Sequence, residues 1–257
     1  MRVEPATIRV NIIQAINNLM VGDGRYLRKD DFRYRRVLHD CDKLIHVDPA
    51  QGYVTRGMAR ALVGDLMMGG QDFANALRLA PGLADDIRFT WAHFSLNMGD
   101  HSSALTLFKQ AVSPTKPEFS QRHLIGEVVG AVSYLSGLFK EAESMGLHYE
   151  THMDEQDIHT KAGFLKDNGL SDEKLAVALD LAGKVVREHS LIPGSAYRAW
   201  IADFDGDPFY MIELHVNCPP KEAADMVSEL SEKMALLDED EAYHSIHITF
   251  EADNGGH

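Results

Sequence analysis

The sequence predicts a mainly α-helical fold: an α-α superhelix of three to four helical hairpins, followed by a small α+β unit. Three observations predict it. Apolar residues recur at helical spacing up to about Glu188, the marks of one helix-turn-helix unit return a repeat length later, and beyond residue 196 the periodicity becomes alternating. The expected division is a helical-repeat domain over residues 1–191 and a small acidic domain over 192–257.

The first hairpin is expected from an amphipathic helix over 7–21 and a second helix in RRVLHDCDKLIHVDP, which ends at Pro49. Their connection, 22–31, is unusually long. The clearest unit is AQGYVTRGMARALVGDLMMGGQDFANALRLAPGL, residues 50–83, with Tyr53, Gly57, the Gly64-Asp65 turn, Phe73, Ala76, Leu77 and Pro81. Small residues at Gly57 and Ala76 admit close helix approach, Gly64 closes the first helix and Pro81 ends the second. The same marks return in IRFTWAHFSLNMGDHSSALTLFKQAV as Ala92, Gly99-Asp100, Ala104, Phe108 and Ala111. A divergent third unit is read in GEVVGAVSYLSGLFKEAESMGLHYE, with Gly130, Gly137, Phe139 and Ala142 in equivalent places and Gly146 where the second-helix aromatic would stand.

Downstream, Ile158, Ala162 and Leu165, then Leu175, Leu179, Ala182 and Val186, predict a fourth, degenerate hairpin. The competing reading makes 158–165 a strand. Residues 197–204 and 209–216 read as strands joined at Asp205-Gly206-Asp207, a strong hairpin signal. A helix opened by Pro219-Pro220 and a strand over 244–251 complete a β-β-α-β unit, which a strand at 158–165 would extend to a ferredoxin-like plait.

The motifs of residues 50–112 resemble the tetratricopeptide repeat family. That resemblance implies a protein-binding scaffold in which the first helix of each hairpin lines a concave groove. Carried over by position, the groove residues are Val54, Met58 and Ala61, then Phe89, His93 and Leu96, then Glu127, Ala131 and Tyr134. The Lys/Asn carboxylate clamp of some members is absent at these places, so co-chaperone activity is not implied.

Composition fits this picture. At 257 residues, with 45% hydrophobic and 25% charged, the chain can build substantial cores. Its start does not resemble a signal peptide and no apolar run reaches membrane-spanning length, so a soluble, cytoplasmic protein that contacts no membrane is expected. Cys41 and Cys218 are far apart and form no CxxC pattern, which fits a reducing compartment. The net charge of -14 is uneven: residues 1–150 carry 17 acids and 17 Lys plus Arg, leaving 22 and 8 for 151–257. Such an acidic unit repels phosphate backbones, so nucleic acid is an unlikely partner.

Other candidates are local. Arg25, Arg28, Lys29, Arg33, Arg35 and Arg36, interleaved with Tyr26, Phe32 and Tyr34, form the densest basic segment, suited to an acidic partner, to RNA or to the acidic C-terminal unit of another copy, or else to a solvated helix face. Thirteen histidines raise the question of metal. His148 and His152 stand four apart beside Glu150 on a candidate helix face, and His215, near Cys218, and His247 would meet across the sheet if their strands were neighbours. Neither set supplies a third ligand of predictable position, so no metal and no cofactor is expected. Asp203, Asp205 and Asp207 imitate a calcium loop, but Pro208 and Leu214 occupy the places of its Gly and Glu. Trp200, Phe209 and Met211 are expected on the sheet face opposite Tyr210, Ile212, Leu214 and Val216, packed on the helical array or a second subunit.

No P-loop, GxGxxG, GxSxG or catalytic cysteine pattern occurs. The leading expectation is therefore a non-enzymatic adaptor that holds a peptide or protein in its groove, with the C-terminal unit adding a second contact or a homodimer interface. The alternatives are a metal-dependent hydrolase or nuclease using histidine clusters, and an acidic regulator that neutralises a basic protein.

Overall fold

The computed structural model describes residues 5–20, 24–116, 118–151, 153–193, 197–237 and 240–252. Helices dominate. In chain order α1 (Pro5–Met20) is followed by α2 (Phe32–Val47), α3 (Pro49–Arg60) by α4 (Leu66–Leu79), and α5 (Ala84–Asn97) by α6 (His101–Ala111). A short α7 (Phe119–Arg122) precedes α8 (Val132–Ser144), α9 (Glu155–Asp167) and α10 (Asp172–Glu188). None is long and apolar enough to cross a membrane, among the described residues.

Aspartates set five of these helix starts. The side chains of Asp31, Asp48, Asp65, Asp100 and Asp154 each accept a backbone N–H from the first turn of α2, α3, α4, α6 and α9, and Ser171 does the same for α10. Each such cap contributes about 1 kcal/mol. Pro49 fixes the first turn of α3 without removing a needed donor.

The hairpins recur with one internal phase. Gly64, Gly99 and Gly130 all have left-handed φ, at 66°, 61° and 82°. In each case a phenylalanine follows nine residues later and an alanine twelve later: Phe73 and Ala76, Phe108 and Ala111, Phe139 and Ala142. All six are buried. This corrects the sequence reading of the third unit. Gly130 is its turn and Phe139 its aromatic, whereas Gly137 lies exposed within α8 and Gly146 follows that helix. Gly137, a small residue at an exposed helical position, had imitated the turn.

The fourth helix pair forms as helices, as expected, but packs differently. Residues 155–167 are helix, which removes the strand and with it the ferredoxin-like plait. Yet α10 takes α6 and α11 as its main helical neighbours, while α9 packs on α8. Helix α10 lies across the turn ends of the preceding hairpins. Its Asp172 accepts the N–H groups of Ser133 and Tyr134 at 2.8 and 2.9 Å, capping α8 from outside. Eight residues on, about 12 Å along the axis, Asp180 accepts the N–H groups of His101 and Ser102 at 2.5 and 3.1 Å and caps α6. Burial pushes the Asp172 carboxyl up despite its two donors. Further along, Arg187 donates to the carbonyls of Met98 and Gly99.

The long connection of the first hairpin reaches the end of this strut. Tyr26 N–H donates to Ser190 O at 3.2 Å, and Ile192 N–H to Gly24 O at 2.8 Å. Leu27 N–H adds a bond to Leu62 O at 2.7 Å, so the same segment also ties to the second hairpin.

After α10 come β1 (Tyr197–Phe204), β2 (Asp207–Val216), α11 (Pro220–Met234) and β3 (Ile246–Ala252). β1 and β2 are antiparallel, and Asp205 and Gly206, at φ 57° and 94°, form the two-residue turn that their right-handed twist favours. β3 pairs in parallel with β2, Tyr210 against Ile246 and Ile212 against Ile248, because α11 carries the chain back to start again on the same side. The alternating set Tyr210, Ile212 and Val216 is buried with Ile246, Ile248 and Phe250. One continuous core joins them to Leu165 of α9, Leu175, Leu179 and Val186 of α10, and Met226 and Leu230 of α11.

Candidate functional site

The first helices of the first three hairpins share one cleft of about 420 Å³. α1 contributes Arg9 and Ile13, α3 contributes Gln51, Val54, Thr55 and Met58, and α5 contributes Asp86, Ile87 and Thr90, with Leu83 at the rim. Residues four apart on a helix fall on one face, which is how Arg9 with Ile13, Val54 with Met58, and Asp86 with Thr90 come to line it. The hydroxyls of Thr55 and Thr90 bond to carbonyls of their own helices, Gln51 O at 3.0 Å and Asp86 O at 2.8 Å. Arg9 donates to the Gln51 side-chain oxygen at 2.9 Å, joining α1 to α3 across the cleft.

Of the groove residues taken by position, Val54 and Met58 line this cleft. Phe89 lies beneath the Arg122 guanidinium, 5.3 Å from its ring centre, and meets the His93 ring edge-on at 4.9 Å. Arg122 also pairs with Asp86, and burial lowers the His93 pKa. Leu96 is buried in the core that joins α5 and α6 to α8 and α9. Glu127 pairs with Lys161 at 2.5 Å, and the Tyr134 hydroxyl donates to the carbonyls of Lys109 and Val112, each at 3.1 Å. Ala61 and Ala131 are buried. Arg9, Ile13, Gln51, Asp86 and Thr90 were missed. The signal for them was the four-residue spacing within α1, α3 and α5, which a family alignment by position does not use.

The basic segment divides rather than forming one patch. Arg25 points away to α11, bonding to Glu222 at 2.8 Å and to His189 O at 3.0 Å. Arg28 meets Asp30, Lys29 meets the cap residue Asp65 at 2.9 Å, and Arg33 meets Asp31 at 2.9 Å. Arg35 and Arg36 are exposed on α2.

His189 sits between Glu222 and Glu229, at 3.3 and 3.1 Å. Burial works against its charged form, but the two glutamates together outweigh burial and raise its pKa. His148 and Glu150 lie in an extended connection and not on a helix, because α8 ends at Ser144, and His152 falls outside the described residues. His215 and His247 do not meet. The parallel register sets His215 against Glu251 and His247 against Met211. In the hairpin turn Asp203 accepts the Gly206 N–H at 2.8 Å, a turn role and not a calcium role. Trp200 pairs with Met211, and Ala202 with Phe209, on the sheet face opposite the core, where Trp200 is exposed and unburied by the helical array. Cys41 and Cys218 are buried and free, and burial pushes the Cys41 thiol up to about 12.

No family model, curated protein or solved structure matches the chain.

Proposed function

We propose that this chain is a tetratricopeptide-like interaction scaffold that holds a peptide or protein segment in the cleft between α1, α3 and α5. One observation carries the reading: three helices, each the first of its hairpin, contribute side chains to a single concave surface. The lining is mixed in chemistry. Apolar Ile13, Val54, Met58 and Ile87 can receive side chains, while Arg9 and Asp86 at its two sides can orient a backbone or a polar group.

The test uses Ile13→Glu with Met58→Glu, both at half-buried positions. Proteins captured by the wild-type chain are identified, and the binding segment is measured as a labelled peptide by fluorescence anisotropy. The expected result is binding weakened at least tenfold with the helical circular dichroism unchanged. A folded double variant that binds the same peptide as tightly as wild type overturns the assignment.

A further inference from the structure

We propose that Glu213, His215 and Glu251 bind one divalent transition-metal ion of the zinc class on the sheet face turned away from the core. This is independent of the cleft and adds a second site. Glu213 and His215 are two apart on β2, so they project from the same face, and the parallel register puts Glu251 of β3 directly beside His215.

The three groups converge on one point. A single atom, His215 Nε2, lies 3.1 Å from Glu213 Oε1 and 4.0 Å from Glu251 Oε2. All three ligand atoms lie within 4.8 Å of one another. Around a zinc ion with bonds of about 2.1 Å, neighbouring ligands stand roughly 3 to 3.5 Å apart, so shifts of under about 1 Å close the set. The flexible partner is the right one. Glu213 and His215 are held, with 18% and 21% of their side chains exposed, whereas Glu251 at 56% is able to swing.

Charge favours a cation here. One imidazole N–H can satisfy only one carboxylate, and two carboxylates turned towards the same nitrogen repel each other unless a positive group lies between them. Arg198 reaches only to 3.9 Å from Glu213 and is 72% exposed. Residues 151–257 carry 22 acids against 8 bases, a field that concentrates cations.

One imidazole with two carboxylates suits zinc, cobalt or manganese. It is too poor in oxygen ligands for calcium and lacks the sulfur preferred by copper(I). Water would complete the coordination on the solvent side.

The experiment titrates chelator-stripped full-length protein with zinc chloride by calorimetry, comparing wild type with His215→Ala, Glu213→Gln and His247→Ala. His247 shares the face but stands against Met211, so its variant controls for the other histidines. The expected result is one zinc per chain, with affinity lowered tenfold or more by His215→Ala and by Glu213→Gln and unchanged by His247→Ala. Substoichiometric manganese added to the wild-type chain should broaden the His215 ring signals before those of His247, a readout that needs no variant to fold. Absence of stoichiometric zinc, wild-type affinity in folded His215→Ala, or equal broadening of both rings overturns the proposal.

Discussion

Gly99 and Gly183 meet backbone to backbone, joining the turn between α5 and α6 to α10. A Cβ built on Gly183 would stand 2.2 Å from Gly99 O and 2.6 Å from Gly99 Cα, so neither neighbour can yield by moving a side chain.

In an exposed helix interior, Gly→Ala stabilises by up to about 1 kcal/mol. At position 183 the sign should reverse. Gly183→Ala is expected to lose about 2 kcal/mol in urea unfolding, because overpacking against backbone must push α10 off the turn. A stabilised Gly183→Ala would show that the two elements part without cost. Gly163, whose added Cβ would meet nothing within 4 Å, supplies the control and should gain stability on the same substitution.

His101 should make the fold acid-sensitive. It opens α6 beneath α10, only 5% exposed, with no hydrogen-bond partner on Nδ1 among the described residues. Burial pushes its pKa down from 6.5 to about 4. The unfolded chain therefore binds the proton first as pH falls through that window, so stability is full above about pH 6.5 and is lost towards pH 4. The loss attributable to this group is about 3 kcal/mol. Urea midpoints between pH 4 and 7 should fall less steeply in His101→Gln than in wild type, and parallel pH profiles would refute the assignment.

Lys161 is 4% exposed and is held by Glu127 at 2.5 Å and Asp157 at 2.6 Å. Burial alone would lower its pKa, but the two carboxylates together raise it. Lys161→Met should cost about 3 kcal/mol by leaving Glu127 largely buried without a cation. Adding Glu127→Gln should restore more than half of that loss. Equal stability of the single and double variants would mean that the pair is not coupled.

The legible parts of this fold were those governed by local rules. The Gly64-Asp65 and Gly99-Asp100 turns, the Asp205-Gly206 hairpin and the β-β-α-β order all follow from residues close in sequence. Reading fails where a distant group decides. α8 begins at Val132 with a cap supplied by Asp172, so no capping residue precedes it and Gly137 drew the turn instead. The cleft was legible only in part, at two of its ten lining residues. Val54 and Met58 were placed by family position, while Arg9 of α1 depends on a long connection that no repeat pattern fixes. His215 was paired with the wrong neighbour for a related reason. Strand alternation gives the face, but only the parallel register names Glu251.

A row of hairpins in which each touches only the next behaves as a spring, lengthening when a bulky segment is forced into its inner surface. The bonds from Gly24 and Tyr26 to Ile192 and Ser190 convert this spring into a hoop. α3 and α5 lie within that hoop, and α1 ends just before the clasp, so the α3–α5 side of the cleft cannot widen by the gradual unwinding open to an unclasped array. Accommodation must come from side chains, and the molecule should select its guests by shape more than it adapts to them.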